Sequence, residues 1–450
     1  MLKRLKNATK SLIAVIALIL SALIFYVFFS DKILPLVESK AFVFANKLGI
    51  VSTHYFESAP AEYAVNSAPP SNNFNYDIAA HIGGCIPESA SELVINVKDQ
   101  GAAGDGAVND TAAFQNAVDR AAGSGGTVYV PDGVYMIDAI AHINLKDNMT
   151  LRLSKGAVLK AMPNNQENYA IISIQNVANV NVQGGVLQGE RAQHQGSAGE
   201  WGMGLEILGA KHVVVENVAA NDNWGDGFYV GNEAGDILFC AVKADNNRRQ
   251  GMSVTSANGV KIQDSVFTNA NGTPPMAGLD LEPNKGETVA NVRVLRSQFL
   301  HNHGSGILLS VPDAIAGQAF IRNVELKNNR VAENGVTGFY SAGIHLTQQS
   351  NQRVIENTVI KNWHDGIAIV SESRGNMISG NQVIGNGNST DKKTGIGIIL
   401  YNRSTDNTVT NNIIGENVNH DILDLVGGNW VEKNKRFVGR AGNRNAAKNK

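Results

Sequence analysis

The sequence GFYV at residues 227–230 returns as GMSV at 251–254, GLDL at 278–281 and GILL at 306–309. Each copy places one residue of any type between two apolar residues that follow a glycine. Successive glycines are 23 to 37 residues apart, and further copies begin at Gly204, Gly343, Gly366 and Gly395. Repeats of this length indicate solenoids or propellers, but most of these spacings are too short for a propeller blade of ~40 to 45 residues. The repeat therefore predicts an all-β solenoid, a parallel β-helix in which each copy contributes one strand to one coil.

Alternation within each copy separates an inner from an outer column of side chains. Successive side chains of a strand point to opposite faces, so the two apolar residues of a copy, such as Phe228 and Val230, line the interior. The residue between them faces outwards. Coils stacked at ~4.8 Å therefore predict an exposed ladder on one face of the solenoid. The ladder consists of Glu206, Tyr229, Ser253, Asp280, Leu308 and His345.

A second strand-like segment lies between successive copies, as at residues 213–217, 260–263 and 292–295. We therefore expect two strands and the turns between them in each coil. Asparagine is frequent at these turns, where it suits left-handed backbone bends and stacked amide ladders. We predict this structural role for Asn221, Asn247, Asn269, Asn302 and Asn334.

The residues before the coils predict a cap. Phe114, Ala117, Val118 and Ala121 keep helical spacing after the dipeptide Asn109-Asp110, which can cap a helix N-terminus. We expect a short helix that closes the N-terminal end of the solenoid, with residues 127–130 beginning the coils.

Three stretches at this end resemble the opening of a known superfamily. They are VKDQGAAGDG at 97–106, NDTAAFQ at 109–115 and GGTVYVP at 125–131. They are similar to the pectate-lyase-like superfamily of right-handed β-helix proteins, which includes polygalacturonases, polysaccharide lyases, mannuronan C5-epimerases and phage tailspikes. With the coils, the resemblance covers about residues 91–430. It implies the fold more strongly than the reaction, because one scaffold supports several chemistries.

The N-terminus predicts a membrane anchor. Lys3, Arg4, Lys6 and Lys10 precede an uncharged run at residues 11–30, and about 20 apolar residues are enough to cross a bilayer. The run lacks the cleavage site of a signal peptide, and its basic flank favours export of the chain that follows. We expect a single-pass protein of the cell membrane with an extracytoplasmic β-helix, or a secreted protein if the segment is cleaved. The predicted divisions are a cytoplasmic flank at 1–10, a transmembrane signal anchor at 11–30, a stalk or cap at 31–90, the β-helix at 91–430 and a basic tail at 431–450.

Charge and cysteine content limit the partners. The formal net charge is -2, which argues against a nucleic-acid-binding protein, since such proteins need a basic face to neutralise phosphates. The two cysteines, Cys85 and Cys240, are too few for a disulfide framework and leave both their pairing and the compartment open.

Residues suited to acid–base chemistry cluster around the ladder. Asp226 directly precedes a repeated glycine, although it could instead cap a turn, and Asp280 and Glu282 share one face because they are two residues apart. The predicted catalytic residues are Asp226, Asp280, Glu282, Arg248 and Arg249. The predicted substrate-binding residues are Glu206, Trp224, Tyr229, Gln250, His301 and His345. Oxygen ligands suit Ca²⁺, so Asp226, Asp280 and Glu282 are also a candidate Ca²⁺ site.

Three reactions on a polysaccharide compete for these residues. In β-elimination or C5 epimerisation of a uronate, a base removes a proton while positive charge stabilises the enolate, which would use the arginines with Tyr229 or His301. In inverting hydrolysis, two carboxyl groups about 6.5 to 9.5 Å apart act as acid and base. Asp226 and Asp280, two coils or roughly 10 Å apart, suit that role. We predict an enzyme that cleaves or modifies an acidic, uronate-containing exopolysaccharide, with a lyase preferred to a hydrolase or an epimerase. A β-helix that only binds a glycan is the alternative from another class.

The chain departs from the active-site patterns of two enzyme families. Polygalacturonase-like enzymes carry Asp-Asp and Gly-His-Gly on successive coils, where this chain has DLE at 280–282 and HNHG at 301–304. The Asp-Pro-His cluster of mannuronan epimerases is also absent. The stretches RRQG at 248–251, GTPP at 272–275 and GLDLEPN at 278–284 instead resemble bacterial β-helix proteins associated with exopolysaccharides, including biofilm-matrix lyases. This resemblance does not name the sugars of a substrate.

Overall fold

Residues 56–57, 93–336, 338–388 and 394–437 are described by the computed structural model. Within these ranges the chain winds into a parallel β-helix of three sheets, which hold 13, 14 and 11 strands. In each complete coil the chain passes through sheet 1, sheet 2 and sheet 3 in turn. Each strand pairs in parallel with the strands of adjacent coils, for example Phe228–Gly231 with Met252–Val254. Adjacent coils therefore place equivalent residues side by side.

The strands of each sheet follow one another in chain order, except that Phe56–Glu57 lies beside the last strand of sheet 2. Sheet 1 contains Val94–Asn96, Thr127–Val130, Met149–Leu153, Ala178–Gln183, Lys211–Glu216, Ala234–Cys240, Ala257–Gln263, Thr288–Leu295, Phe320–Lys327, Arg353–Ile355, Met377–Ser379, Thr408–Thr410 and Trp430–Glu432. Sheet 2 contains Phe56–Glu57, Asp105–Asn109, Gly133–Ile137, Ala157–Ala161, Val186–Gln188, Ala219–Asn221, Lys243–Asp245, Val266–Thr268, Gln298–Leu300, Arg330–Ala332, Thr358–Ile360, Gln382–Ile384, Ile413–Gly415 and Asn434–Arg436. Sheet 3 contains Ile143–Leu145, Asn168–Gln175, Trp201–Leu208, Phe228–Gly231, Met252–Val254, Leu279–Leu281, Ile307–Ser310, Ala342–Thr347, Asp365–Val370, Ile396–Leu400 and His420–Asp424.

The repeated glycine motif forms sheet 3, and its apolar residues form the core. Phe228, Met252, Leu279 and Ile307 are aligned by strand register and fully buried. Full burial of such side chains contributes about 1.5 to 3 kcal/mol each. The core is continuous from coil to coil, as the alternation of the sequence predicts.

The expectation of two strands per coil was wrong, because each complete coil has three. The unpredicted strands belong to sheet 2 and are mostly three residues long, such as Lys243–Asp245 and Gln298–Leu300. Only their central residue points into the core. A single buried residue between polar neighbours carries no periodicity, so these segments resemble turns in sequence.

Asparagine ladders close several of the turns. The side chain of Asn334 accepts hydrogen bonds from the backbone and side chain of Asn302, and Asn334 in turn donates to Asn362. Asn247 accepts in the same way from Asn223, while Asn269 adopts a left-handed φ of 56°. The structural role is thus confirmed for Asn247, Asn269, Asn302 and Asn334. Asn221 differs, because its Oδ1 is buried without a hydrogen-bond partner among the described residues.

The predicted capping helix is confirmed as α1, Thr111–Ala121, with Phe114, Ala117, Val118 and Ala121 buried against the first coils. Of the two residues predicted to cap the helix, Asn109 does so and Asp110 does not. Asn109 Oδ1 accepts the backbone N–H of Thr111 at 3.0 Å. The Asp110 carboxylate instead accepts the N–H groups of Ala103 and Gly104, which fixes the preceding glycine-rich loop.

The solenoid extends past the predicted boundary at residue 430. Trp430–Glu432 and Asn434–Arg436 continue sheets 1 and 2, so the first residues assigned to a basic tail are strands. Phe56–Glu57, within the predicted stalk or cap, pairs with Asn434–Arg436. Cys240 is disulfide-bonded, whereas Cys85 lies outside the described residues. The predicted anchor at 11–30 also lies outside them, and none of the helices that the structure describes is sufficiently long and apolar to span a membrane.

Candidate active site

The outward ladder predicted from the repeat is formed by strand register on sheet 3. Glu206 lies beside Tyr229, Tyr229 beside Ser253, and Ser253 beside Asp280. The column continues through Leu308 to His345. The ladder residues are only partly accessible: Ser253 and Asp280 are buried, and Tyr229, Leu308 and His345 are half-buried.

Four of the predicted residues form one hydrogen-bonded cluster at the centre of the ladder. Arg249 Nη1 donates to Asp226 Oδ2 at 3.2 Å, and the backbone N–H of Gln250 donates to Asp226 Oδ1 at 3.0 Å. The side-chain amide of Gln250 then donates to Asp280 Oδ2 at 2.7 Å. Arg249 Nη1 also lies 3.3 Å from Ser253 Oγ. Three successive coils thus hold two carboxyl groups and a guanidinium in fixed relation.

Burial makes the two carboxyl groups unusually basic. Asp226 is 0% exposed, and burial raises its pKa to about 6 although Arg249 opposes the shift. Asp280 is 1% exposed, and burial together with the nearby Glu282 carboxylate raises its pKa well above the ordinary value. Burial alone would lower the pKa of Arg249, but Asp226 and the neighbouring carboxylates raise it overall. Arg249 is therefore a permanent cation, while Asp280 retains a proton that an exposed aspartate would lose.

The position of the proton on Asp280 follows from its hydrogen bonds. Oδ2 accepts from Gln250, whereas Oδ1 is buried without a hydrogen-bond partner in the described part of the chain. Neutral Asp280 therefore carries its proton on Oδ1. Glu282, half-buried two residues later on the same face, lies nearer to solvent. The pair thus consists of one buried and one more accessible carboxyl group.

Glu200 joins the cluster, although it was not among the predicted site residues. Its Oε2 lies 3.3 Å from Arg249 Nε, and its side chain is partly exposed. Glu200 ends the segment before the strand Trp201–Leu208 and precedes Gly204 by four residues, outside the alternation of the repeat. In the sequence, only its position in a turn beside the ladder indicates that Glu200 could belong to the site.

Gln250 was predicted to bind substrate, but its polar side-chain atoms form hydrogen bonds within the protein. It is fully buried, and its side-chain carbonyl accepts the N–H of Ala277 at 2.7 Å while its amide donates to Asp280. The backbone N–H binds Asp226. Gln250 is therefore a positioning residue that links the two buried carboxyl groups.

Trp224 and Arg248 belong to a stack at the edge of the cluster. Both lie three residues before a repeated glycine, in successive coils. Arg248 Cζ is 3.8 Å from the centroid of the Trp224 ring, and the His194 ring, from the coil before, stacks on it at 4.0 Å. Because the three side chains come from successive coils, the indole is covered on both faces. Trp224 therefore has no free face for a sugar ring, and Arg248, which donates to the carbonyl of Gly199 at 2.7 Å, forms part of this wall.

Glu206 and Tyr229 occupy the N-terminal part of the ladder. Glu206 Oε1 accepts hydrogen bonds from Ser173 at 2.7 Å and Gln175 at 3.0 Å. Burial raises the pKa of the Tyr229 hydroxyl, whose oxygen lies 2.9 Å from Thr255 Oγ1. Both residues line the ladder next to the cluster, and their role in substrate binding stays a prediction.

The two predicted histidines lie in different places. His345 is on the ladder, two strands beyond Asp280. His301 follows the sheet 2 strand Gln298–Leu300 in a left-handed turn, and its exposed Nδ1 lies 3.4 Å from Glu333 Oε2. The structure pairs His301 with Glu333, and its role in substrate binding stays a prediction.

The proposed Ca²⁺ site is not supported by the donor set. Both oxygens of Asp226 accept hydrogen bonds, one of them from the Arg249 guanidinium, and Asp280 Oδ2 is bound to Gln250. A fixed cation in contact with the carboxylates opposes the binding of a second one. Among the described residues, no group of three or more acidic, histidine or cysteine side chains is arranged to hold a metal ion. We therefore assign no step to a metal.

Comparison with known proteins agrees with this architecture. Residues 94–307 match the family described as rhamnogalacturonase A/epimerase, pectate lyase-like, and residues 291–436 match the right-handed β-helix region. Over residues 94–436 the chain is thus similar to pectate-lyase-like and right-handed β-helix proteins. The resemblance stated from residues 97–131 is thereby confirmed.

The individual relatives of this chain are distant. An uncharacterized Bacillus subtilis protein, YclG, is 27% identical over 253 residues, which are 48% of this chain and 43% of that protein. The mannuronan C-5 epimerase AlgE4 A-module of Azotobacter vinelandii superposes with a TM-score of 0.56 at 20% identity, covering 77% of this chain and all of the module. An exopolygalacturonase from Thermotoga maritima gives 0.55 at 15% identity, covering 77% of this chain and 92% of the enzyme. The chain spans less than half the length of the first curated relatives it matches, and these structural similarities establish the fold alone.

Proposed function

We propose that the protein cleaves a polysaccharide by general acid–base catalysis at the Asp280–Glu282 pair. The observation that carries this proposal is the buried Asp280 carboxyl group, whose pKa burial and Glu282 raise well above the ordinary value. A carboxylic acid that stays protonated near neutral pH can donate to a departing glycosidic oxygen. In this proposal the more accessible Glu282 contacts the substrate and gives its proton to the departing glycosidic oxygen, and the proton of Asp280 then passes to Glu282.

The fixed charges around the pair support this role. The buried Asp226 accepts a hydrogen bond from Arg249. Arg249 also forms an ion pair with the partly exposed Glu200. Glu200 is an ionisable group on the N-terminal side of the cluster, where a carboxylate could activate the attacking water. Arg249 stabilises the negative charge that remains on the carboxyl groups after proton transfer.

The arrangement of the cluster favours hydrolysis over the β-elimination that the sequence predicted. A lyase needs a base for the C5 proton, but Arg249 is held protonated and the pKa of Tyr229 is raised. His301 is paired with Glu333. Neither Tyr229 nor His301 is hydrogen-bonded to the cluster in the described residues, whereas two carboxyl groups are part of it. Eliminative cleavage remains the second candidate, because the Arg249 cation would stabilise an enolate.

Two parts of the prediction are retained as proposals. We propose that the polysaccharide is acidic, as the similarity to exopolysaccharide-associated proteins implies. We also propose that residues 11–30 anchor the protein in the cell membrane, with the β-helix outside the cytoplasm.

The test is to incubate the full chain with polygalacturonate, mannuronan and neutral glucans. New reducing ends without ultraviolet absorbance from an unsaturated product support hydrolysis, whereas a rise in that absorbance supports elimination. Asp280→Asn is expected to reduce the rate by about 10² to 10⁴-fold, the usual contribution of a general acid. Activity should fall as the pH rises through the elevated pKa of Asp280, because the acid form is then lost.

A matched control uses an exposed carboxylate of sheet 1. Asp236 pairs with His212 on the surface, and its left-handed backbone suits asparagine. Asp236→Asn should leave the rate unchanged. Equal rates for wild type and Asp280→Asn, or glycan binding without any product, would contradict the proposed catalysis.

A further inference from the structure

Tyr340 is an exposed aromatic side chain that the protein holds in place. Its ring belongs to a residue that is 41% exposed, yet its hydroxyl donates to Asp365 Oδ2 at 2.8 Å. Asp365 is buried, and its other oxygen accepts the N–H groups of Gly395 at 2.9 Å and Ile396 at 2.8 Å. The ring is therefore anchored at its polar end while much of its surface remains accessible.

The ring lies beside the ladder that carries the acid. His345, the ladder residue two strands beyond Asp280, contacts Tyr340 edge to face, with centroids 5.7 Å apart and planes at 88°. Two coil spacings place His345 roughly 10 Å from Asp280 along the solenoid. Tyr340 also precedes its repeated glycine, Gly343, by three residues, as Trp224 and Arg248 precede theirs. It therefore occupies the position in its repeat that Trp224 and Arg248 occupy in theirs.

The surroundings of the ring are uncharged on the ladder side. Burial lowers the pKa of His345 to about 4, so its imidazole is neutral at physiological pH. Burial of the hydroxyl end and the nearby Asp365 carboxylate raise the pKa of Tyr340, so that its hydroxyl stays protonated while much of the ring is exposed. Such a site offers an aromatic face and a neutral imidazole. These groups suit the C–H face of a pyranose ring better than a charged group.

We propose that Tyr340 is a stacking platform for one sugar ring of an extended glycan that runs along the solenoid from the Asp280–Glu282 pair. This inference rests on the proposed polysaccharide-cleaving function and adds a binding position remote from the reacting bond. Trp224 cannot serve this purpose because both of its faces are covered. Tyr340 is suited to it, because an anchored aromatic ring has little conformational freedom to lose on binding.

The experiment measures binding separately from turnover. In the full chain carrying Asp280→Asn, hexasaccharides of galacturonate, mannuronate and cellulose, and the matching disaccharides, are titrated by calorimetry. Adding Tyr340→Ala should weaken binding of the recognised hexasaccharide by roughly threefold to tenfold, the value of one aromatic contact. Tyr340→Phe keeps the ring without its anchor and should lose clearly less. The matching disaccharide, bound at the acid pair, should show a much smaller effect.

Trp430 supplies the matched control. It is 63% exposed but lies on sheet 1, and Trp430→Ala should leave hexasaccharide binding unchanged. Thermal unfolding of each variant verifies folding. Equal hexasaccharide affinity with and without Tyr340→Ala overturns the platform, as does an equal loss in Tyr340→Phe or a failure of all three hexasaccharides to bind. Failure of the catalytic proposal is recognised independently, by unchanged product formation in Asp280→Asn.

Discussion

At the scale of the residue, the buried carboxyl of Asp226 makes stability depend on pH. Its pKa is about 6 in the folded protein against an ordinary 3.8, mainly because burial disfavours the charged form. The folded state therefore binds the proton more tightly than the unfolded state. The stabilisation is complete below pH 3.8 and is lost as the pH rises through about 6.

We expect the wild type to lose about 2 kcal/mol of unfolding free energy from this group between pH 4 and 7, because each tenfold difference in proton affinity between the two states contributes about 1.4 kcal/mol. Asp226→Asn should remove that part of the dependence, as measured by urea unfolding at both pH values. Asp245→Asn is the opposite control. Despite burial, hydrogen bonds from Asn269 and Thr268 lower the pKa of Asp245, so its stabilisation is lost towards acid pH. Parallel curves for wild type and Asp226→Asn would refute the assignment.

The sequence predicted which side chains lie on the ladder, because strand alternation decides which of them face outwards. Asp280 and its ladder neighbours follow directly from the position of the glycine, and Asp226 and Arg249 from their proximity to it. The alternation says nothing about what a side chain contacts beyond its own coil. Gln250 links two buried carboxyl groups, and the ring of Trp224 is covered on both faces. The sequence did not predict either role, because hydrogen bonds and ring stacking between coils cannot be inferred from a single strand. Tyr340 was overlooked for the same reason: its anchor, Asp365, belongs to the next coil.

At the scale of the element, the asparagine ladders link each turn to the next. Asn362 accepts from the backbone and side chain of Asn334 and donates to Asn386 and to the Val331 carbonyl. Asn362→Ala would leave several buried polar groups unpaired. An unpaired buried group costs about 1 to 3 kcal/mol.

We therefore expect Asn362→Ala to lower the unfolding free energy by about 3 kcal/mol, measured by urea denaturation. The exposed Asn165, outside the ladders, provides the control, and Asn165→Ala should change stability by less than about 0.5 kcal/mol. Similar values for the two variants would show that the ladder contributes little.

Sheets 1 and 3 could be predicted from the sequence, because apolar and polar residues alternate along several residues of their strands. The strands of sheet 2 could not be predicted in this way. Strands such as Val266–Thr268 present one inward residue each, and their identity depends on stacking, as between Phe267 and Phe299 with centroids 5.1 Å apart. That contact joins residues 32 positions apart. A local pattern cannot show it.

At the scale of the whole molecule, a substitution in the core of one coil should affect the stability of that coil and its neighbours, because each coil contacts chiefly the adjacent ones. Ile307 and Ile344 are adjacent in sheet 3, whereas Ile172 lies several coils away from both. Each substitution by alanine should cost about 2 to 5 kcal/mol.

The Ile307→Ala and Ile344→Ala pair should depart from additivity by about 0.5 kcal/mol or more, since the two cavities adjoin. The Ile172→Ala and Ile344→Ala pair should be additive within that amount. Urea unfolding of single and double variants gives both values. Equal coupling in the two pairs would contradict a nearest-neighbour solenoid.

The asparagine ladders also bear on how the protein ages chemically. Asn334 precedes Gly335 and Asn386 precedes Gly387, and in a loose chain such pairs deamidate readily, because the glycine nitrogen attacks the preceding side-chain carbonyl. Here the N–H of Gly335 is bound to the Asn302 carbonyl at 2.7 Å and that of Gly387 to the Asn362 carbonyl at 2.8 Å. Both asparagine side chains are fixed by the turn before them. The contacts that set the turns therefore also slow the deamidation to which these two dipeptides would otherwise be prone.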